Sequence, residues 1–338
     1  MPTATAAVNP EQILKDLREL WTRMAEDQAG SGGVLRACSM TLVATARDAA
    51  DADLVRQALG VLMHSHPSRA IIVHDAGNGA AAQEAVAQEL EAHIFSECWK
   101  PFGSTQQICS EGIEITPGAG GGDGTAEVAR FIVPLRAPDL PLVLWRRGAL
   151  GSGGRRGVNH GYDSLLALAD KVIFDTADAP DSAGALAYLR SLQSAGRRVA
   201  DLNWTRLSGW REVIAHLFDD AAVQPDAVES VNISYGGGRL TTSALYMASW
   251  IRSALPGAPV IVDAVNAPAR EPGGLASVEF TSGSDCLALH RAEGDCVHVT
   301  GAGRNYHSTL QPARVEDLMR EELGILGRDP VYERVLAL

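Results

Sequence analysis

The residues best placed for chemistry stand at the ends of apolar runs. They are Asp175 and Thr176 after "KVIF", Asp201 and Asn203 after "RRVA", Gly236, Gly237, Gly238 and Arg239 after "ESVNISY", and Asp263 and Asn266 after "PVIV". In an open parallel sheet, ligands sit beyond the carboxyl ends of the strands, so three aspartates on one rim could hold a metal ion, a sugar or a partner's arginine. The same residue types cap helices and make Asx turns at strand-to-helix junctions, and types alone do not separate these uses. The segment "SYGGGRLTTSALYMASW" runs strand, glycines, helix. That order lets backbone N–H groups and a helix N-terminus hold an anion, with Arg239 beside it. It lacks the Lys-Ser/Thr of a phosphate loop and the G-x-G-x-x-G spacing, and a tight turn accounts for the glycines equally well.

Nucleophilic and metal chemistry find less. There is no G-x-S-x-G elbow, no cysteine in a nucleophile motif and no H-E-x-x-H; His64 and His66 stand two apart in "MHSHPSR" and read as structural or surface residues. No catalytic residue, metal ligand or cofactor is assigned. The densest stretch is "DLNWTRLSGWR", 201 to 211. Ser208 is a good N-cap, which makes "DLNWTRL" a strand end plus loop and starts a helix at Gly209. On that helix Trp210, Ile214, Leu217 and Phe218 form a buried stripe, with Arg211 close to the same face. A buried arginine needs a carboxylate or a partner, and Asp201 is the nearest candidate in sequence. The stretch therefore reads either as an internal ion pair roofed by Trp204 or as a binding surface.

These residues need a scaffold of strands and helices in alternation. "EQILKDLRELWTRMAED" carries a helical stripe at Ile13, Leu14, Leu17, Leu20, Trp21 and Met24. The runs "RACSMTLVATA", helical "DAADADLVRQALGVLMHSH" and "RAIIVHD" follow as strand, helix, strand. After the glycine-rich "PGAGGGDGT", a helical or irregular "AEVARFIVPLRAPDLP" leads to the strand "LVLWRR". In the second half "KVIFD", "RRVADLN", "ESVNISY" and "PVIVDAV" alternate with helices near 181–195, 208–219 and 241–254. From about 275 the pattern changes to antiparallel strands, "LASVEF", "CLALHRA" and "CVHVTG", and then a helix at "VEDLMREELG". The fold class expected is α/β: two α/β domains with mostly parallel sheets, the second ending in antiparallel strands and a C-terminal helix. The expected divisions are an N-terminal helical segment 1–32, a first domain 33–156 and a second domain 157–338.

Composition bounds the function. At 338 residues the chain exceeds one ordinary core. Its formal net charge of −12 disfavours nucleic acid and anionic lipid as partners, although "RRGALGSGGRR" is a local basic cluster on a flexible linker. No long apolar run suggests a membrane span, the first residues lack a signal-peptide pattern, and a cytoplasmic location is expected. Five cysteines, Cys38, Cys98, Cys109, Cys286 and Cys296, fit neither a disulfide framework nor a zinc knuckle and read as reduced thiols. "DCLALHRAEGDCVHV" reads as a hairpin turning at Glu293-Gly294, with Cys296 facing Arg291. Cys286 and Cys296 are then roughly 17 Å apart and on opposite faces.

The blocks "RACSMTLV", "HPSRAIIV", "VPLRAPDLPLVLWRR", "LADKVIFDT" and above all "DLNWTRLSGWREVIAHLFD" resemble the OpcA family, the glucose-6-phosphate dehydrogenase assembly proteins. The resembling blocks span about 36 to 255, and "DLNWTRL-x-x-WR" is their most specific signature. The family's proline in "T-P-W-R" is replaced here, the stretch reading Ser208-Gly209-Trp210-Arg211. The resemblance implies a non-catalytic role: binding glucose-6-phosphate dehydrogenase and promoting or activating its oligomer, in support of the oxidative pentose phosphate pathway and its NADPH. Redox control, associated with photosynthetic members, is not carried over, given the separation of Cys286 and Cys296. Because Trp and Arg are enriched at interface hot spots, Trp145, Arg146, Arg147, Trp204, Arg206 and Arg211 are the candidate partner contacts. The alternative is a site for a sugar phosphate, in a sensor or an enzyme, at the rim of Asp175, Asp201, Asn203, Gly236 to Arg239 and Asp263.

Overall fold

Helix α1 (Pro10–Asp27) starts where the Asn9 side chain accepts from the Glu11 backbone N–H and Pro10 occupies the first turn. Its stripe turns Ile13 and Leu17 inward, as the periodicity predicts. Strand β1 (Val34–Arg36) precedes β2 (Met40–Ala46), whose residues are all buried, as a parallel strand covered on both faces requires. Helix α2 (Ala49–Leu62), capped by Asp48, returns the chain to β3 (Ser68–His74), parallel to β2 with Leu42 beside Ala70. Then β4 (Glu91–Trp99) and β5 (Gln107–Thr116) make an antiparallel hairpin. Helix α3 (Gly124–Ile132) leads to β6 (Leu142–Trp145), and α4 (Asp163–Leu168) to β7 (Lys171–Phe174). The computed structural model describes residues 9–28, 32–74, 90–116, 124–148, 150, 163–219, 224–265, 274–310 and 314–338. The glycine runs 117–123 and 151–154 lie outside the described residues, as does Asn266.

The chain divides into two compact units, Met1–Gly148 with Asn159–Phe174, and Ala149–Val158 with Asp175–Leu338. In the first, the strands lie in the order β1-β5-β3-β2-β6-β7, with β4 along the other side of β5. All neighbours but β4 and β5 run parallel. The chain moves one way from β2 to β3 and the other way to β6, which puts the topological switch point at β2 and β6. Strand β7, the "KVIF" run that the sequence reading places at the start of the second domain, pairs here with β6, Val172 beside Leu144.

The second unit opens with α5 (Ser182–Ser194), the short β8 (Val199–Asp201), a single turn α6 (Leu202–Thr205) and α7 (Ser208–Asp219). Strand β9 (Ser230–Tyr235), α8 (Thr242–Ala254) and β10 (Val260–Ala264) form one more strand-helix-strand crossover. Strands β11 (Leu275–Ser282), β12 (Asp285–Arg291), β13 (Cys296–Gly301) and β14 (Arg304–Thr309) then extend the sheet, in the order β10-β9-β11-β12-β13-β14. Only the β10–β9 pair is parallel. Alternate residues Val278, Phe280, Leu287, Leu289, Val297 and Val299 are buried on one face, and Phe218 of α7 meets Phe280 edge to face at 5.2 Å. Helices α9 (Val315–Gly324) and α10 (Pro330–Ala337) close the unit.

Two cysteine expectations are corrected. Cys98 and Cys109 stand directly opposite each other on β4 and β5 and are joined by a disulfide, so the five thiols are not all reduced. The β12–β13 register is shifted by one residue from the expected one: Arg291 pairs with Val297, and the Ala292 N–H donates to the Cys296 carbonyl. Because side chains alternate with period two, that shift puts Cys286 and Cys296 on the same face, still roughly 20 Å apart along the strand. Both are free thiols.

Candidate functional site

The signature stretch folds as a corner built around one carboxylate. Strand β8 ends at Asp201, which is completely buried. Its Oδ1 accepts from the backbone N–H groups of Thr176 (3.0 Å) and Asn203 (2.9 Å), and its Oδ2 from the hydroxyls of Thr176 (2.5 Å) and Tyr246 (2.7 Å). The bond to Asn203 caps α6, so the expected strand-plus-loop is a strand end followed at once by a helical turn. Asn203, also buried, donates to the Thr242 hydroxyl and accepts at 3.0 Å from the Ser243 hydroxyl, and Thr242 donates to the Thr176 carbonyl. Three segments, at the ends of β8 and β7 and the start of α8, are thus tied by side chains. Burial, and then the charge of Asp175, push the Asp201 carboxyl up to about 6, despite donors that stabilise its ionised form.

Around it stand three aromatic rings. Trp204 lies 5.9 Å from Tyr246 and 5.8 Å from Tyr332, centroid to centroid, and the two tyrosine hydroxyls are 3.2 Å apart. The expected Asp201–Arg211 ion pair does not form, because Asp201 already has four neutral donors. Arg211 instead lays its guanidinium 3.4 Å from the centroid of the Trp204 ring and donates to the Trp204 carbonyl and the Ser208 hydroxyl, 3.0 Å each. Burial lowers its pKa to about 10, against the pull of Glu321, Asp329 and Glu322, so it stays protonated at neutral pH. Ser208 is not the expected cap: its hydroxyl donates to Glu321 at 2.6 Å, and the first turn of α7 closes on the Leu207 carbonyl. Arg206 grips Asp175 through two parallel bonds of 2.8 and 2.6 Å.

The rim residues are therefore not gathered as one open site. Asp175 is bound to Arg206, while Asp201 and Asn203 lie inside. Gly237 and Gly238 take positive φ in the turn after β9, which explains those glycines without a ligand. Arg239 is exposed and donates to the Pro180 carbonyl at 3.3 Å. Asp263 is exposed on β10, in register with Ser234, and its side chain makes no hydrogen bond or ion pair among the described residues. No cluster of three or more His, Cys, Asp or Glu suited to a metal occurs among the described residues. The sequence reading missed Tyr246, Tyr332 and Glu322, whose places beside the signature come from α8, α10 and α9 and leave no local pattern.

In the first unit the candidate Trp145 ends β6 at the switch point, and Arg146 and Arg147 follow it. Trp145 and Arg146 are buried. Arg147 stacks 4.8 Å over the Trp145 ring and donates to Asp51 Oδ1 at 2.6 Å; Arg47 donates to the same oxygen at 3.1 Å. Burial alone would raise the Asp51 carboxyl, but the hydrogen bonds from Arg147 and Arg47 hold it well below the usual range. Asp51 sits in the first turn of α2, its backbone N–H donating to the cap residue Asp48. The D-x-x-D spacing just before a helical stripe was its sequence signal.

Two family models match the chain, one described as the glucose-6-phosphate dehydrogenase subunit N-terminal domain over residues 60–191, the other as its C-terminal domain over 197–336. The chain belongs to the OpcA family. Proteins named "Putative OxPP cycle protein OpcA" are similar to it: that of Synechocystis sp. is 28% identical over 178 residues, 51% of this chain and 35% of that protein. The one from Synechococcus elongatus is 24% identical over 350 residues, 86% of this chain and 76% of that protein. For the Synechocystis and Nostoc punctiforme relatives the match spans about a third of their length (35% and 32%). Among solved structures, a 3-ketoreductase from Actinomadura kijaniata aligns with a TM-score of 0.47 at 10% identity, over 88% of this chain and 94% of that one. The aldose-aldose oxidoreductase from Caulobacter crescentus aligns at 0.45 and 11%, over the same shares. Scores this low carry no functional argument for the OpcA chain. The descriptions of the two matching family models name glucose-6-phosphate dehydrogenase, and the names of the relatives refer to the OxPP cycle. No helix among the described residues is long and apolar enough to cross a membrane.

Proposed function

We propose that the chain is a non-catalytic assembly factor and allosteric activator of glucose-6-phosphate dehydrogenase. It binds the dehydrogenase in the cytoplasm, favours its active oligomer, and so supports the supply of NADPH by the oxidative pentose phosphate pathway. The observation that carries this reading is the inward use of the family signature. Asp201, Asn203, Trp204 and Arg211 satisfy one another and their neighbours, a scaffold's arrangement, where an enzyme would aim such groups into an open cleft. Arg147, Arg206 and Arg211, each half-buried and held by an aromatic ring or a carboxylate, are the members of the candidate set with an edge to offer a partner. Trp145 and Trp204 act beneath them, as the surfaces on which arginines rest. The sugar-phosphate alternative loses Asp175 and Asp201 to internal contacts and keeps only Asp263 exposed.

The test is to measure activity and oligomer size of the dehydrogenase from the same organism, with and without this protein at matched concentrations. A rise in activity together with a co-migrating complex is expected. Unchanged activity and separate migration would refute the reading.

A further inference from the structure

We infer that the tip of the β4–β5 hairpin is a preformed anchor that inserts Phe102 into an apolar pocket on the dehydrogenase; this rests on the assembly reading and gives it a contact point. Phe102 is the most exposed large apolar side chain among the described residues, at 109% of the reference exposure. A lone exposed apolar residue is ordinary on a protein surface, but the construction under this one is not that of a loose loop. The turn Pro101-Phe102-Gly103-Ser104 is closed by the Ser104 N–H donating to the Pro101 carbonyl at 3.0 Å. Gly103 has φ +76°, as the third residue of a type II turn requires. The Ser104 hydroxyl accepts from the Gln106 N–H at 3.0 Å and fixes the descending arm. Below the turn the Cys98–Cys109 disulfide joins the two strands at directly opposed residues. Trp99 packs on His64 with ring centroids 4.6 Å apart, and at Gly112 an added Cβ would sit inside the Phe95 ring. The ring is thus held out in solvent by a support that is ordered before any partner arrives, and such preorganisation lowers the cost of binding.

The neighbourhood fits a protein surface. Leu35 of β1 lies in register with Ile108, which lies in register with Trp99, so the three share a face at the tip end of the sheet; Leu35 is 51% exposed. Lys100 is exposed next to the turn and has no ion pair or hydrogen bond among the described residues. An aromatic tip, an aliphatic flank and one cation match a pocket of apolar residues with a carboxylate on its rim. A projecting tip cannot enclose a small molecule, one lysine beside one ring is too little for a membrane surface, and the net charge of −12 opposes nucleic acid. The dehydrogenase is the occupant of choice because the hairpin lies within residues 60–191, the stretch that matches the N-terminal domain of a subunit of that enzyme.

The test uses the full chain and the purified dehydrogenase from the same organism, with dissociation constants measured by calorimetry for wild type, Phe102→Ser, Phe102→Leu and the control Leu54→Ser. Leu54 is another exposed apolar residue, 50% exposed on α2. Phe102→Ser should weaken binding at least about tenfold, as loss of an interface anchor does. Phe102→Leu should fall between it and wild type, Leu54→Ser should stay within about twofold, and melting temperatures should be unchanged. Wild-type binding with Phe102→Ser equally tight would overturn the anchor and leave the assembly reading standing. Absence of binding by wild type would overturn both.

Discussion

Asp201 is the residue whose chemistry is most at odds with its setting. Its carboxyl is raised from 3.8 to about 6 by burial and by Asp175, so between those values the folded chain holds a proton that the unfolded chain has released. Stability from this group is therefore full below about pH 4, falls as pH rises toward 6, and is flat beyond, a loss of about 3 kcal/mol at 1.36 kcal/mol per unit. Asp51 and Glu111 have lowered values, so their contribution is complete above about pH 4.5 and does not mask this window. In Asp201→Asn the amide keeps the shape without the charge. Urea titrations from pH 4 to 7 should show the variant gaining on wild type as pH rises, and a pH-independent difference would refute the raised carboxyl. Arg211 rests on the Trp204 face and two hydrogen bonds. Arg211→Ala should cost about 1–3 kcal/mol, and Arg211→Lys should recover little, since an ammonium cannot stack or fork as a guanidinium does. Full rescue by lysine, read from the denaturation midpoint, would mean that charge alone mattered. Both residues were legible in the sequence as polar groups in an apolar setting; their pairing was not. Sequence proximity suggested an ion pair, whereas the partners of Asp201 arrive from the end of β7, the turn after β8, and α8.

The alternating strands and helices were legible because each carries its own period: "MTLVATA" is apolar throughout, and the helices at 182–194 and 242–254 carry their caps at Asp181 and Thr241. The β4–β5 hairpin was not. "EAHIFSECW" lies on a sheet edge, is only half-buried and mixes polar with apolar residues, and its connection lacks the two-residue Asn-Gly type of signal. With the hairpin unseen, Cys98 and Cys109 were two unrelated thiols; once β4 and β5 are aligned they face each other. The bridge closes a loop of sequence separation 11, for which the chain-entropy estimate is about 3 kcal/mol. Cys98→Ser should lower the unfolding free energy of the chain by roughly that amount, measured by urea titration without reductant, and added reductant should then change wild type but not the variant. Equal stability in both would show that the bridge constrains nothing. The one-residue slip at β12–β13 shows a further limit: a hairpin register depends on where the turn closes, and an error of one reverses every side chain.

At the scale of the whole molecule, activation of a partner is a matter of differential affinity. A chain that bound active and inactive oligomers of the dehydrogenase equally would raise nothing, however tightly it bound. If it favours the active oligomer by a factor, linkage requires that formation of that oligomer tighten binding of the chain by the same factor. The relation separates assembly from a simple surface contact. Sedimentation of the dehydrogenase at concentrations below its own assembly threshold should show oligomer appearing as this protein is added. The dissociation constant of the chain, measured above and below that threshold, should differ by the same ratio. For a tenfold shift the coupling is about 1.4 kcal/mol, within the usual range for allosteric effects. Oligomerisation that moves without a matching change in affinity would break the cycle and mean that the active species had been misidentified. Equal affinities and an unmoved oligomer would leave a binding protein with no assembly role, and any rise in the enzyme's activity would then occur within a fixed assembly.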